Sequence, residues 1–147
     1  MAGRASIVWF AIMVAAIFNG AARDLLMAPR LGDPIARAVS CITLAGAIVL
    51  VAWVSIGWMR PSSQLDAWTI GAFWLGMTLA FEFLAGHYVF GTPWPTLLAD
   101  YNLLSGRLWI LVLIATLIAP AIAFRLAHNP GRTTEISPRP ADAARLP

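Results

Sequence analysis

The sequence predicts an all-α, polytopic membrane protein. It should hold four transmembrane helices in an up-down bundle, with a short interfacial helix between the third and the fourth. Three observations predict it. Of 147 residues, 60% are hydrophobic and 12% charged, against about 45–50% and about 25% in soluble domains. Four long apolar stretches stand out, Ile7–Ala22, Val39–Met59, Ala67–Phe81 and Leu108–Phe124; with their flanks they approach the roughly 20 residues that a span requires. None shows the polar face that a soluble amphipathic helix carries. A transmembrane domain over residues 1–127 and a tail over 128–147 follow.

The first helix is expected from about Ser6 to Leu26. Arg4, the apolar run and Gly20-Ala21-Ala22 also have the layout of a cleaved signal, but Asn19 and Arg23 read better as retained polar groups. A loop with Pro29, Gly32 and Pro34 follows, in which Asp33-Pro34 reads as an N-cap with proline in the first helical position. The second helix runs to about Met59, long enough to tilt. Arg60-Pro61-Ser62-Ser63 makes a sharp turn, and Ser63 with Asp66 has capping-box spacing for a third helix starting near Gln64. That helix becomes long enough to span if it continues past Glu82 to about Val89. Gly91, Pro93 and Pro95 stop it there. Thr96–Leu104 places Leu97, Leu98, Tyr101 and Leu104 on one stripe, as an interfacial helix would. The fourth helix ends near Leu126, with Pro120 removing the bond to Thr116. The tail after it, rich in proline and without an apolar period, is expected to be disordered. Helix–loop–helix occurs twice, and aligning Met13 with Met77, Ala16 with Ala80 and Ala21 with Ala85 hints at a duplication.

All ten basic residues are arginines, and the formal charge is +3. They are scattered singly, which excludes a nucleic-acid surface and fits topology signals. Four spans put Arg4, Arg60, Arg125, Arg132, Arg139 and Arg145 on one side and Arg23, Arg30, Arg37 and Arg107 on the other. The richer side is expected to be cytoplasmic, as in a multi-pass protein of a bacterial inner membrane. The single cysteine, Cys41, lies in an apolar run and forms no intrachain disulfide.

Chemistry concentrates at the opposite side. Between Phe81 and Trp109 lie Glu82, His87, Tyr88, Trp94, Asp100, Tyr101, Asn102 and Arg107, and Asn19 and Arg23 end the first helix at the same level. Glu82 is about 15 residues beyond Ala67, about 22 Å along a helix, so it sits in the outer third of the bilayer. A carboxylate there calls for a cation, several donors or a raised pKa. An ion pair to Arg23 or Arg107 is the simplest expectation, and Asn19 and Arg23 are placed to join a network with Glu82. Asp100 and Asn102 read as helix caps; Arg107 reads as part of that entry turn or as an anion clamp beside Tyr88, Tyr101 and Trp94. Glu82 and His87 diverge by about 140° on a regular helix, and no ligand spacing suits a metal. Neither a metal nor a cofactor is expected. Trp9, Trp58, Trp68, Trp94 and Trp109 read as interfacial belts, with Trp53 and Trp74 packed deeper. Ala72, Gly76 and Ala80 form a small-residue ridge suited to close packing, inside the bundle or between copies.

No phosphate loop, Ser-His-Asp set, zinc spacing or paired carboxylates occur, and the spans lack the polar rings of a water-filled pore. Phe81-Glu82-Phe83-Leu84-Ala85-Gly86-His87, with Trp94, Asp100-Tyr101-Asn102 and Gly106-Arg107-Leu108-Trp109, resembles a family of small four-span bacterial inner-membrane proteins with no assigned activity. The resemblance implies location and topology, and it supplies no catalytic residue. Three readings stand: a non-enzymatic accessory or structural protein whose polar cluster knits the helix ends and docks a protein partner or a second copy; a small proton-linked transporter of an anionic or polar solute; and an interfacial enzyme acting on lipid or quinone, with His87 or Glu82 as base. Membrane lipids are the expected partners, and nucleic acid is not.

Overall fold

The computed structural model describes residues 2–89, 91–99 and 108–128, and every described element is helical. Helix α1 (Ala2–Ala22) passes into a π-helical segment (Arg23–Met27) and then a short α2 (Ala28–Leu31). Pro29 explains the interruption. It has no N–H to return to the preceding turn, and the widened turn, in which the Ala28 N–H reaches the Arg23 carbonyl, absorbs the mismatch. The first span therefore continues to Leu31 rather than ending near Leu26. Gly32, at φ 79°, turns the chain. It is Gly32, not Asp33, that occupies the cap position, with Asp33 already in the first turn of α3 (Asp33–Met59).

With 27 residues, α3 is about 40 Å long, more than the roughly 30 Å hydrocarbon layer. Arg60 ends it in the left-handed conformation, φ 52°, with its N–H on the Ile56 carbonyl at 3.1 Å. The expected capping box starts α4 (Gln64–Leu84): the Asp66 N–H donates to Ser63 Oγ, and the N–H groups of Ser62 and Ser63 donate to Asp66 Oδ2 at 2.9 and 3.1 Å. A second π-helical segment, Ala85–Val89, extends α4. Gly91, at φ 66°, reverses the chain, and the Thr92 N–H caps the Gly86 carbonyl at 2.9 Å. The short helix between the third and fourth spans is α5 (Trp94–Ala99), and the last span is α6 (Trp109–His128), which contains Pro120.

Four of these helices are long and apolar enough to cross a membrane, and the protein is an all-α, multi-pass membrane bundle. Hydrogen bonds at both ends of each helical hairpin fix the helix directions. Arg4 Nη1 reaches the Trp58 carbonyl at 2.9 Å and Asn19 reaches Ser40, so α1 and α3 are antiparallel. Gln64 Nε2 reaches the Ala121 carbonyl at 3.1 Å and Trp109 reaches Glu82, so α4 and α6 are antiparallel too. The two hairpins meet chiefly through α3 and α6, and more sparsely through α1 and α4. Each hairpin has the same plan, a span, a π-helical segment, a short helix and a second span.

Trp74, Ile48, Ile70, Met59 and Val112 anchor the core. Two indoles sew α1 to α4: Trp74 Nε1 donates to the Ala5 carbonyl at 2.9 Å, and Trp9 Nε1 to Thr78 Oγ1 at 3.1 Å. Trp9 is thus a core residue rather than part of a belt, while Trp53, expected to pack deep, is 57% exposed. The small-residue ridge is also placed differently. Ala72, Gly76 and Ala80 face outward, and a Cβ on Gly76 would meet nothing within 4 Å. The close approach is made by Gly71, where a Cβ would overlap the Leu117 backbone of α6. Ala67, Ile70, Gly71 and Trp74 form the buried stripe of α4, at the spacing of one helix face.

Candidate functional site

Near the π-helical end of the bundle, the walls of α1, α3, α4 and α6 enclose a cavity of about 280 Å³. Its size falls close to the lower limit of about 300 Å³ for small-molecule pockets. Ile12, Met13, Leu44, Ile48 and Val112 give it apolar walls, and Trp9, Phe81 and Trp109 add rings. Toward the loops, Gly86 and Leu97 close it. The glycine is required there, because a Cβ at Gly86 would lie 2.9 Å from Leu97 Cδ2; its absence lets α5 lie back on the second π-helical segment. Ile17 and Phe81, which also line the cavity, are 56% and 37% exposed. The space therefore opens sideways between α1 and α4, toward the surface that faces lipid.

Among the described residues, Glu82, Thr78 and Thr116 bring oxygen-bearing side chains to its border. Thr116 Oγ1 donates to the Val112 carbonyl at 2.7 Å, and Thr78 accepts from Trp9. Glu82 is half-buried, and its Oε2 accepts from Trp109 Nε1 at 3.0 Å. Among the described residues that line the cavity, Glu82 is the one ionisable group.

The other described residues singled out from the sequence have the following contacts. Asn19 Nδ2 donates to the Ser40 carbonyl and hydroxyl at 3.1 and 2.6 Å, one turn beyond the cavity residues Ala16 and Leu44. It ties α1 to α3. Arg23 holds Asp24 with two bonds, Nε to Oδ1 at 2.8 Å and Nη2 to Oδ2 at 3.1 Å. His87, Tyr88 and Trp94 form an aromatic group beyond the cavity. The imidazole stacks on Trp94 with centroids 4.4 Å apart and meets the Tyr88 ring edge-on at 4.9 Å. Its Nδ1 lies 3.1 Å from the Thr92 carbonyl. A carbonyl only accepts, so Nδ1 is the donor in this contact. Asp100, Tyr101, Asn102 and Arg107 lie outside the described residues, as does nearly all of the tail over 128–147.

Sequence reasoning missed Trp9, Thr78, Trp109 and Thr116 as cavity residues. For the indoles there was a signal: a tryptophan that enters a bundle needs an acceptor for its N–H, and Glu82 and Thr78 are acceptors on the neighbouring span. Among the described residues no three His, Cys, Asp or Glu side chains gather as a metal site requires. No protein-family model, no curated protein and no solved structure matches the chain.

Proposed function

We propose that this chain is a non-enzymatic accessory protein of a bacterial inner membrane that binds an amphiphilic molecule in its cavity. The bias of arginines near the span ends supports cytoplasmic termini, with the cavity in the outer half of the bilayer. The observation that carries the reading is the cavity itself, an apolar space of about 280 Å³ with the Glu82 carboxyl group on its wall and a sideways opening between α1 and α4. Such a shape takes the apolar body of a molecule already dissolved in lipid and leaves a polar head near Glu82. His87, with Nδ1 committed to a backbone carbonyl, does not line this space, which favours binding over catalysis.

The test fills the cavity. Ala16 lines it, and Ala16→Phe inserts a ring. Wild type and variant are purified in a mild detergent, checked for equal helicity by circular dichroism, and extracted for lipid mass spectrometry and native mass spectrometry. Wild type is expected to carry a bound amphiphile that the variant lacks. Identical extracts from two equally folded proteins overturn the proposal.

A further inference from the structure

We infer that the cavity is a slot for one straight hydrocarbon tail of about ten carbons, held while the polar head stays outside. The inference rests on the binding function proposed above and adds to it which part of the amphiphile is held and in what shape. Three walls give the slot its length. Its lining runs from Trp9 to Ile17 on α1 and from Thr78 to Gly86 on α4, eight residues in each case, and from Trp109 to Thr116 on α6, seven residues. At about 1.5 Å per residue these are lengths of about 10–12 Å. A volume of about 280 Å³ spread over that length leaves a mean width of about 5 Å. The space is long and narrow. It runs along the helices, in the direction that the acyl chains of a bilayer run.

Length and volume call for the same tail. Bonds of about 1.5 Å at near-tetrahedral angles advance about 1.25 Å each in an extended chain, so the slot holds about nine to eleven carbons in line. An apolar cavity of about 150 Å³ takes the six carbons of benzene, so about 280 Å³ takes about eleven. The two ends of the slot differ. Glu82 and Trp109 meet on the loop side; at the far end Trp9, Val112 and Thr116 are all buried and shut the space. Ile17 and Phe81 are exposed, so a tail enters from lipid between α1 and α4 and points its methyl end at Val112. The oxygen-bearing side chains of the wall are engaged within the protein: Thr78 accepts from Trp9, Thr116 donates to the Val112 carbonyl, and Glu82 accepts from Trp109. The lining is otherwise hydrocarbon and ring, a surface that selects a guest by shape and length.

The experiment uses monoacylglycerols with straight tails of six to sixteen carbons and one neutral head. The full chain is kept in a detergent whose apolar part is a fused-ring body, too broad for the slot, and each probe is added at the same mole fraction in the micelle. Bound probe is counted by native mass spectrometry, with Ala16→Phe as the blank. Binding above the blank is expected to strengthen up to about ten carbons, about threefold for each added methylene, and to stop strengthening beyond. Val112→Ala removes two carbons at the shut end and should move that break to about eleven or twelve. A variant that merely loosened the fold would weaken every probe and leave the break in place. The glycerol ester of adamantane-1-carboxylate, which carries eleven carbons as a compact cage, should bind no better than the blank. Didecanoyl phosphatidylcholine in the same assay separates two sources of the tail: displacement of monodecanoylglycerol assigns it to a phospholipid, and failure to displace assigns it to a single-chain amphiphile. Binding that rises through sixteen carbons without a break, a break that Val112→Ala does not move, or equal binding of the cage overturns the inference and leaves the cavity as a binding site. If no probe binds above the blank, the inference also fails, and insensitivity of the lipid extracts to Ala16→Phe takes the binding function with it.

Discussion

Replacing Gly71 by alanine puts a methyl group into the seam between α4 and α6. A Cβ built there overlaps the carbonyl oxygen of Leu117 and lies 2.9 Å from its carbonyl carbon, whereas carbon atoms rest at about 3.5–4.0 Å. The neighbour is backbone in the interior of a helix, so it does not swing aside, and the two helices must separate by about 1 Å or more. That seam is flanked by Ile70 and Trp74, both buried, so the separation also opens the core beside them. Overpacking of this kind costs about 1–3 kcal/mol. Against it stands the gain of about 0.5–1 kcal/mol that alanine brings to a helix interior. A control isolates that gain: Gly76 lies on the same helix with nothing within 4 Å of its Cβ position, and Gly76→Ala should leave stability unchanged or raise it. The assay is denaturant unfolding of detergent-solubilised protein, followed by circular dichroism. Gly71→Ala should fall below wild type and Gly76→Ala should not. If the two variants unfold together, the close approach of α4 and α6 is wrong, and the placement of α4 that brings Glu82 to Trp109 goes with it.

Two further substitutions test other parts of the same arrangement. Trp74→Phe removes the indole donor to the Ala5 carbonyl together with part of a ring that is fully buried, and should lower unfolding stability by about 1–3 kcal/mol. Trp53→Phe, at a site 57% exposed to lipid, should change it little, and equal losses from both would contradict the burial pattern. Gly86→Ala meets only the end of the Leu97 side chain, at 2.9 Å, which can rotate. Its stability cost should stay below that of Gly71→Ala, but Leu97 is a wall of the cavity, so the amphiphile retained through purification should fall.

The spans were legible because hydropathy is a property of each segment by itself, and so was the Ser63–Asp66 box, whose bonds join residues three apart. What a span touches is not local. The ridge Ala72-Gly76-Ala80 satisfies the rule for close helix contact, yet α4 presents Gly71 to its neighbour instead. One residue is about 100° of rotation, and rotation is decided by which faces of α1 and α6 are available. The same cause hid the cavity. Glu82 announced itself as a charge in an apolar run, but the partner seen for it, Trp109, stands 27 positions away, and an indole near a span end reads equally well as a belt residue. The π-helical segments left half a trace: Pro29 signals that the first span cannot continue as a regular helix, whereas nothing in Ala85–Val89 marks the second before its ending at Gly91.

The repeated plan of the two hairpins explains why polarity gathers where it does. In each, a donor near the start of the first span reaches a carbonyl late in the second, Arg4 to Trp58 and Gln64 to Ala121. At the opposite end, each is closed by a side-chain pair, Asn19 with Ser40 and Glu82 with Trp109. The first of these pairs is neutral and compact. A carboxamide and a hydroxyl satisfy each other at 2.6 Å and bring α1 against α3. The second joins a carboxyl group to a bulky ring, and both members of the pair line the cavity. The cavity of this end therefore lies beside the Glu82–Trp109 pair, whereas Asn19 and Ser40 are not among its lining residues. Glu82→Asn with Trp109→Ser trims two walls and should widen the cavity, taking from the amphiphile the ring and the carboxyl group it packs against. Loss of the bound amphiphile in the double variant, with helicity retained, is the expected result; an undiminished bound fraction would show that the pair does not set the width of the site.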